Sequence, residues 1–379
     1  MKRSTFFILC LEGAVLSFNV AAMAALVPSI AKTFVLSQFF VGKIIWLYML
    51  PYGMAALLYG PLVRAIDARK VELTCMFLFS VANLAAALSR NIYSLFAARF
   101  FMGLFGASVI PLGLILIAKH IVPEKRGRFV GTFFGATFIA SLLGLFLSGI
   151  LHWRLIFLIP GICGLILEVI MFFHLPSFEE DVAGFKINYL LAFRDKKIIS
   201  IFTYIFFISL FYHGMQQWLG VYFSTKIGLG QFLISMLITL TSLSGIFGEV
   251  IGGFLSDILG RIKTVDLGII LMVLSAFSLI FKLPVWILAL IMVVWGLGWT
   301  LNHAGLSTML TDLPKDYLNE AASLNSGVRF LSGGLGAAIG GILMQRSFAL
   351  GFTIFGIGFI SLLIFSRNLR QGELRWQKI

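Results

Sequence analysis

The sequence is short of charge. Asp, Glu, Lys and Arg make up 12% of its 379 residues, and acids are the scarcer sign, 16 against 29 bases. A soluble domain of this length needs a charged surface, and this chain has too little charge to cover one. Cysteine is scarce as well. Cys10, Cys75 and Cys163 are odd in number, lie inside apolar runs and lack metal-ligand spacing, so neither a disulfide nor a cysteine metal site is expected. No Walker-type phosphate loop occurs, so ATP is not expected to drive anything through this chain. No paired histidines and no carboxylates at catalytic spacing occur either. The chain is therefore read as no enzyme, with no cofactor and no metal.

What remains is apolar. Hydrophobic residues are 60% of the chain, and Phe alone occurs 39 times. Mean hydropathy is +1.01. Apolar runs of about 20 residues, long enough to cross a bilayer as helices, recur from end to end. They predict an all-α membrane protein of twelve transmembrane helices. The first six cover roughly 5–30, 39–62, 71–89, 92–117, 128–151 and 154–175; the second six cover roughly 198–223, 231–256, 265–282, 284–310, 319–344 and 348–366. The longest hydrophilic gap separates the sets. The expected organisation is a six-helix bundle over 1–175, a linker over 176–197 and a second six-helix bundle over 198–379. Met1-Lys2-Arg3 and Ala22-Met23-Ala24 have the look of a signal peptide. Glu12 and Asn19 interrupt that run, which reads better as the first helix.

The net charge of +13 sits in short gaps between apolar runs, a topology signal and not a nucleic-acid groove. With both termini on one side, that side carries 20 Lys and Arg and the other carries 7. Both termini are therefore expected in the cytoplasm, with the chain multi-pass in the inner membrane. The chain also repeats. A shift of 193 lays Gly60–Lys70 on Gly253–Lys263 and Gly103 on Gly296. A shift of 192 lays Gly135, Phe138, Gly144 and Gly149 on Gly327, Phe330, Gly336 and Gly341. Parallel repeats of this kind build transporters from two bundles.

The stretch Gly253-x-Leu255-x-Asp257-x-x-Gly260-Arg261 resembles the loop signature of the major facilitator superfamily. Arg99-Phe-Phe-Met-Gly103 resembles that family's fourth-helix motif, and Pro123–Gly127 and Trp153-Arg154-x-x-Phe157 resemble further family habits. The resemblance spans the chain and lies nearest the drug and metabolite efflux, drug:proton antiporter-like branch. It implies two pseudo-symmetric six-helix bundles that alternate access, with helices 1, 4, 7 and 10 lining the path. It also implies gating loops at Gly60, Arg64 and Asp67 and at Gly253, Asp257, Gly260 and Arg261. The chain departs from the family in three places. Arg64 and Asp67 stand where the family has Asp and Gly. Ala140–Leu143 lacks the antiporter's Gly-Pro pair. Asn19 stands where many proton-coupled relatives carry Asp. The reversed charge at Arg64 predicts a pair with Glu320 or Asp316.

Ionisable and amide groups inside spans are candidates for function, since burying them in lipid is costly. Glu12, Asn19 and Arg99 fall in the first set of helices. Arg99 is read either as an anchor for an anionic solute or as a structural arginine. Glu12 is read either as a proton carrier or as a residue of the cytoplasmic mouth. In the second set, His213, Gln216, Gln217, Trp299 and Asn302 suit an organic solute. Glu249 and Arg329 are expected as an intramembrane ion pair, and Trp153 and Trp376 as interfacial aromatics. The expected function is a monomeric secondary transporter in the lipid bilayer. It would move a small organic molecule by alternating access, as proton-linked efflux. Uptake by symport or facilitated diffusion, and a non-transporting sensor of the same fold, remain as alternatives.

Overall fold

The computed structural model describes residues 3–62, 66–177, 196–311 and 318–376. These residues contain helices and no strand. They fall into twelve spans. In the first half, α1 has two pieces, Arg3–Ser17 and Met23–Phe34; α2 is Lys43–Leu62; α3 is Ala68–Ala87; α4 is Ile92–Gly106 continued by Val109–His120; α5 is Pro123–Leu147; α6 is Trp153–His174. In the second half, α7 is Lys196–Gln216 continued by Leu219–Tyr222; α8 is Gln231–Leu259; α9 is Arg261–Ser278; α10 is Val285–Thr311; α11 is Leu318–Arg346; α12 is Phe348–Trp376. Ten helices are long and apolar enough to cross a membrane. The other two spans are the broken α1 and the α9 helix, whose first turns carry Arg261, Lys263 and Asp266. Backbone polar groups have no water to bond in lipid, so helices that satisfy themselves are the expected solution.

The chain divides into two compact units. One comprises 1–186 together with 230–235, the other 187–229 together with 236–379. The repeat read from sequence is visible inside each. In the first unit Gly103 of α4 lies against the carbonyl oxygen of Tyr48 on α2, and in the second Gly296 of α10 lies against that of Thr241 on α8. The shift of 193 relates both glycines and both carbonyls. Likewise Gly144 of α5 abuts the Phe18 carbonyl oxygen of α1, and Gly336 of α11 abuts that of Leu210 on α7, related by 192. At all four sites an added Cβ would lie closer than 3.0 Å to backbone oxygen. Small residues let the helices approach this far.

Three spans expected to be continuous are broken. In α4 the break at Ala107 and Ser108 has a local cause. Pro111 has no N–H and its ring clashes with the carbonyl four residues back, that of Ala107. Ser108 bonds to Phe105 instead. In α1 the helical ladder stops after Ser17 and resumes at Met23, and Val20 bonds back to Ser17. In α7 the interruption falls at Gln217 and Trp218.

Large apolar side chains such as Phe173, Val250 and Ile342 are exposed along helix faces, as a lipid-facing surface requires. Trp153 departs from its expected place in an interfacial belt. It is fully buried in the first unit, and its indole Nε1 donates to Thr33 Oγ1 at 2.9 Å. Beside it, Arg154 Nη1 donates to the Ala87 carbonyl at 2.6 Å, satisfying the orphan end of α3.

Candidate functional site

In the first unit, Glu12 has an acidic partner. Glu12 on α1 is 1% exposed and Glu72 on α3 is wholly buried. Their carboxyl groups lie within hydrogen-bonding reach of each other, with Cys75 and Tyr59 adjacent. None of the four carboxyl oxygens has a donor among the described residues. Carboxylates only accept, so two facing carboxyls can bond only when one carries a proton. Glu72 escaped the sequence reading because it follows Arg69-Lys70 within one turn, where the chain looks like a loop surface. The signal available was the 3.6-residue period, which puts Glu72 on the same face as the buried Ala68, Cys75 and Phe79.

Higher in the same unit, Asn19 sits in the break of α1 with no exposure, and its Nδ2 donates to Asn83 Oδ1 at 2.7 Å. Asn83 in turn donates to the Phe79 carbonyl at 2.9 Å. Thus α1 meets α3 through two polar contacts, one amide pair and one acid pair. Arg99 turns away from both. Its Nε donates to the Ile44 carbonyl of α2 at 3.1 Å, and its guanidinium lies 4.2 Å over the Tyr48 ring and 6.0 Å from that of Phe157. Arg99, Tyr48 and Phe157 are all 1% exposed or less. Its surroundings are those of the structural alternative, a cation enclosed by aromatic faces and a carbonyl.

The second unit holds a larger cluster. Tyr212 of α7 stacks on Trp299 of α10 at 3.8 Å and on Trp295 at 5.1 Å. His213 meets Trp299 edge-on, and Gln217 Nε2 lies 3.3 Å from His213 Nδ1. Trp295 Nε1 donates to Gln216 Oε1 at 2.7 Å. Of the residues expected here, His213, Gln216, Gln217 and Trp299 therefore gather around one aromatic stack. Asn302 does not join them. Its Nδ2 donates to Tyr204 OH at 3.0 Å and to the Val265 carbonyl at 3.4 Å, inside the packing of α7, α9 and α10.

The expected Glu249–Arg329 pair is not formed directly. Glu249 Oε1 lies 2.6 Å from His303 Nδ1, with both side chains about one-third exposed, at 31% and 32%. Arg329 donates its Nε to Asn325 Oδ1 at 2.8 Å, and its guanidinium lies 5.9 Å from the Trp299 centroid. Glu249 still acts on it at longer range. The rearrangement follows from geometry. Glu249 and Arg329 have similar depths, but His303 lies nearer to Glu249.

The loop residues are ordinary in their bonding. Asp67 caps α3, accepting from Arg69 N at 3.0 Å and from Ser177 Oγ at 2.7 Å. Asp257 and Arg261 form an i,i+4 pair at 3.5 Å, with Asp257 75% exposed. Gly260 joins α8 to α9 with φ +94°, a conformation that favours glycine. A Cβ at Gly253 would meet nothing within 4 Å. Gly60 is helical in α2. Arg64 and Asp316 lie outside the described residues, and Glu320 is described only as helix, so the expected pair with Arg64 is not placed.

Two polytopic halves, a matched set of glycine–carbonyl approaches and polar groups gathered inside each half define the class of a membrane transporter. A family model, the Major Facilitator Superfamily, matches residues 9–341 and again 225–371. The chain belongs to that superfamily. It is 24% identical to the uncharacterized MFS-type transporter YbcL of Bacillus subtilis, over 94% of this chain and 96% of the relative. It is 27% identical to the purine ribonucleoside efflux pump NepI of Salmonella typhimurium, over 77% of this chain and 75% of that protein. In fold it is similar to the nucleoside transporter NupG, with a TM-score of 0.77, 13% identity and coverage of 97% and 99% of the two chains. The D-xylose–proton symporter is also similar, with a TM-score of 0.74, 14% identity and coverage of 96% of each chain. The protein is thus a multi-pass membrane transporter of a small molecule and not an enzyme.

Proposed function

We propose that the protein is a monomeric, proton-linked exporter of a small organic solute in the cytoplasmic membrane, working by alternating access with both termini in the cytoplasm. The observation that carries proton coupling is the Glu12–Glu72 contact. Two buried carboxyls face each other without a basic partner among the described residues. In a low-dielectric setting like charges at this range repel strongly, and one shared proton removes the repulsion. Glu12 lies on α1 and Glu72 on α3, so a shift of one helix against the other opens the contact and frees the proton. Export as the direction is supported by the efflux pump among the relatives. His213, Gln216, Gln217 and Trp299 form the solute-facing surface of the second unit. The loops at Gly60, Arg64 and Asp67 and at Gly253, Asp257, Gly260, Arg261 and Glu320 act as gates.

The test is transport in proteoliposomes under an imposed pH gradient, screened over organic solutes beginning with inosine. Glu12→Gln and Glu72→Gln should each abolish gradient-driven flux while leaving solute counterflow largely intact. A purely structural acid pair would lower both alike. Gradient-driven flux equal to wild type in Glu12→Gln would refute the proton role.

A further inference from the structure

Arg329 is a buried cation with unused bonding capacity. It is 9% exposed, in the membrane-spanning part of α11. A guanidinium presents five N–H donors in a planar fork. Asn325 takes the one on Nε, at 2.8 Å. Among the described residues the terminal nitrogens Nη1 and Nη2 have no partner. Leaving charged donors unsatisfied inside a membrane is expensive, and such a group persists where a ligand completes it.

The surroundings say which ligand. The guanidinium lies 5.9 Å from the ring centre of Trp299, itself part of the Tyr212 stack. Trp299, His213 and Gln217 are partly exposed, and Glu249 and His303 are one-third exposed, so the cluster is open on that side. Arg99 differs on this point. It too has a terminal nitrogen without a partner among the described residues, but Tyr48 and Phe157, both buried, lie over it. Glu249, the acid that would otherwise satisfy Arg329, lies against His303 instead, 2.6 Å from its Nδ1. The fork is therefore kept free, with a competing carboxylate held nearby.

We propose that Arg329 and the Trp299 ring form a subsite for an anionic planar solute, the guanidinium fork taking its carboxylate or phosphate and the indole its flat body. A fork of parallel N–H donors matches the two oxygens of either group, and an aromatic face stacks on any flat ring system. This assignment rests on the transporter reading above and names the class of solute. It does not depend on proton coupling or on direction.

The experiment is calorimetric binding to the purified full-length protein in detergent, without a gradient. The probes are matched pairs that differ in charge: indole-3-acetate against indole-3-acetamide for the carboxylate, and inosine 5′-monophosphate against inosine for the phosphate. In wild type the anion of at least one pair should bind tenfold or more tightly than its neutral partner, and the pair that does so identifies the acidic group. Arg329→Gln should erase the discrimination. Arg329→Lys, which keeps charge and loses the fork, should retain part of it and also shows that the fold tolerates change here. Trp299→Leu should weaken both members of a pair several-fold. The proposal is overturned if no anion outbinds its neutral partner in wild type, or if discrimination survives Arg329→Gln. Loss of gradient-driven transport with discrimination intact would sink the proton-linked reading and leave the subsite standing.

Discussion

Two glycines of the same helix should respond in opposite directions to the same change. Gly135 and Gly144 both lie in α5. An added Cβ at Gly135 meets nothing within 4 Å, whereas at Gly144 it falls inside the Phe18 carbonyl of α1. Alanine is favoured over glycine inside a helix by roughly 0.5–1 kcal/mol. Gly135→Ala should therefore stabilise by about that amount. Gly144→Ala receives the same gain, but α1 and α5 must part by on the order of 1 Å to restore normal contact. Overpacking of that kind costs about 1–3 kcal/mol, so a net loss of about 1–2 kcal/mol is expected. The neighbour that must give is backbone and not a flexible side chain, so relaxation is poor. Gly336→Ala, against the Leu210 carbonyl of α7, should behave as Gly144→Ala does. The assay is thermal unfolding in detergent, followed by helix circular dichroism. A Gly144→Ala protein as stable as Gly135→Ala would refute both the close approach and the symmetry argument built on it.

Other outcomes follow from the same interiors. Asn19→Ala and Asn83→Ala each strand a buried amide and should each cost about 1–3 kcal/mol, while the double variant should cost clearly less than their sum in a thermal-unfolding cycle. Arg99→Met should lower melting temperature and folded yield without changing solute discrimination in calorimetry, since Arg99 is enclosed by Tyr48, Phe157 and the Ile44 carbonyl. A cytoplasm-only reporter fused after Lys197 should be active and one fused after Lys226 silent, as the charge asymmetry requires. Activity after Lys226 would reverse the orientation.

The fold was largely legible because its causes are local in sequence. Span length, loop charge and the glycine repeat each act over tens of residues, and the 193 and 192 shifts reappear as paired glycine–carbonyl approaches at Gly103 and Gly296 and at Gly144 and Gly336. The breaks were only partly legible. Pro111 marks the one in α4, and Gly214 and Gly220 flank the one at Gln217, but nothing beside Asn19 is a helix breaker by propensity. The tertiary setting contributes at both, where Asn19 donates to Asn83 of α3 and Trp218 to the Ala337 carbonyl of α11. The polar pairings were least legible, because depth in a helix fixes height and not azimuth. Glu249 and Arg329 share a height, yet His303 lies closer to Glu249. Arg99 and Asn19 fall in the same set of helices, yet one turns to Ile44 and the other to Asn83. Glu72 was passed over altogether. It falls at the start of the third predicted span and lies on the buried face of α3, where Glu12 meets it across sixty positions of sequence. A charge inside a span is thus a sound pointer to where something must be explained, while its partner is fixed by the rotation of helices that no linear pattern records.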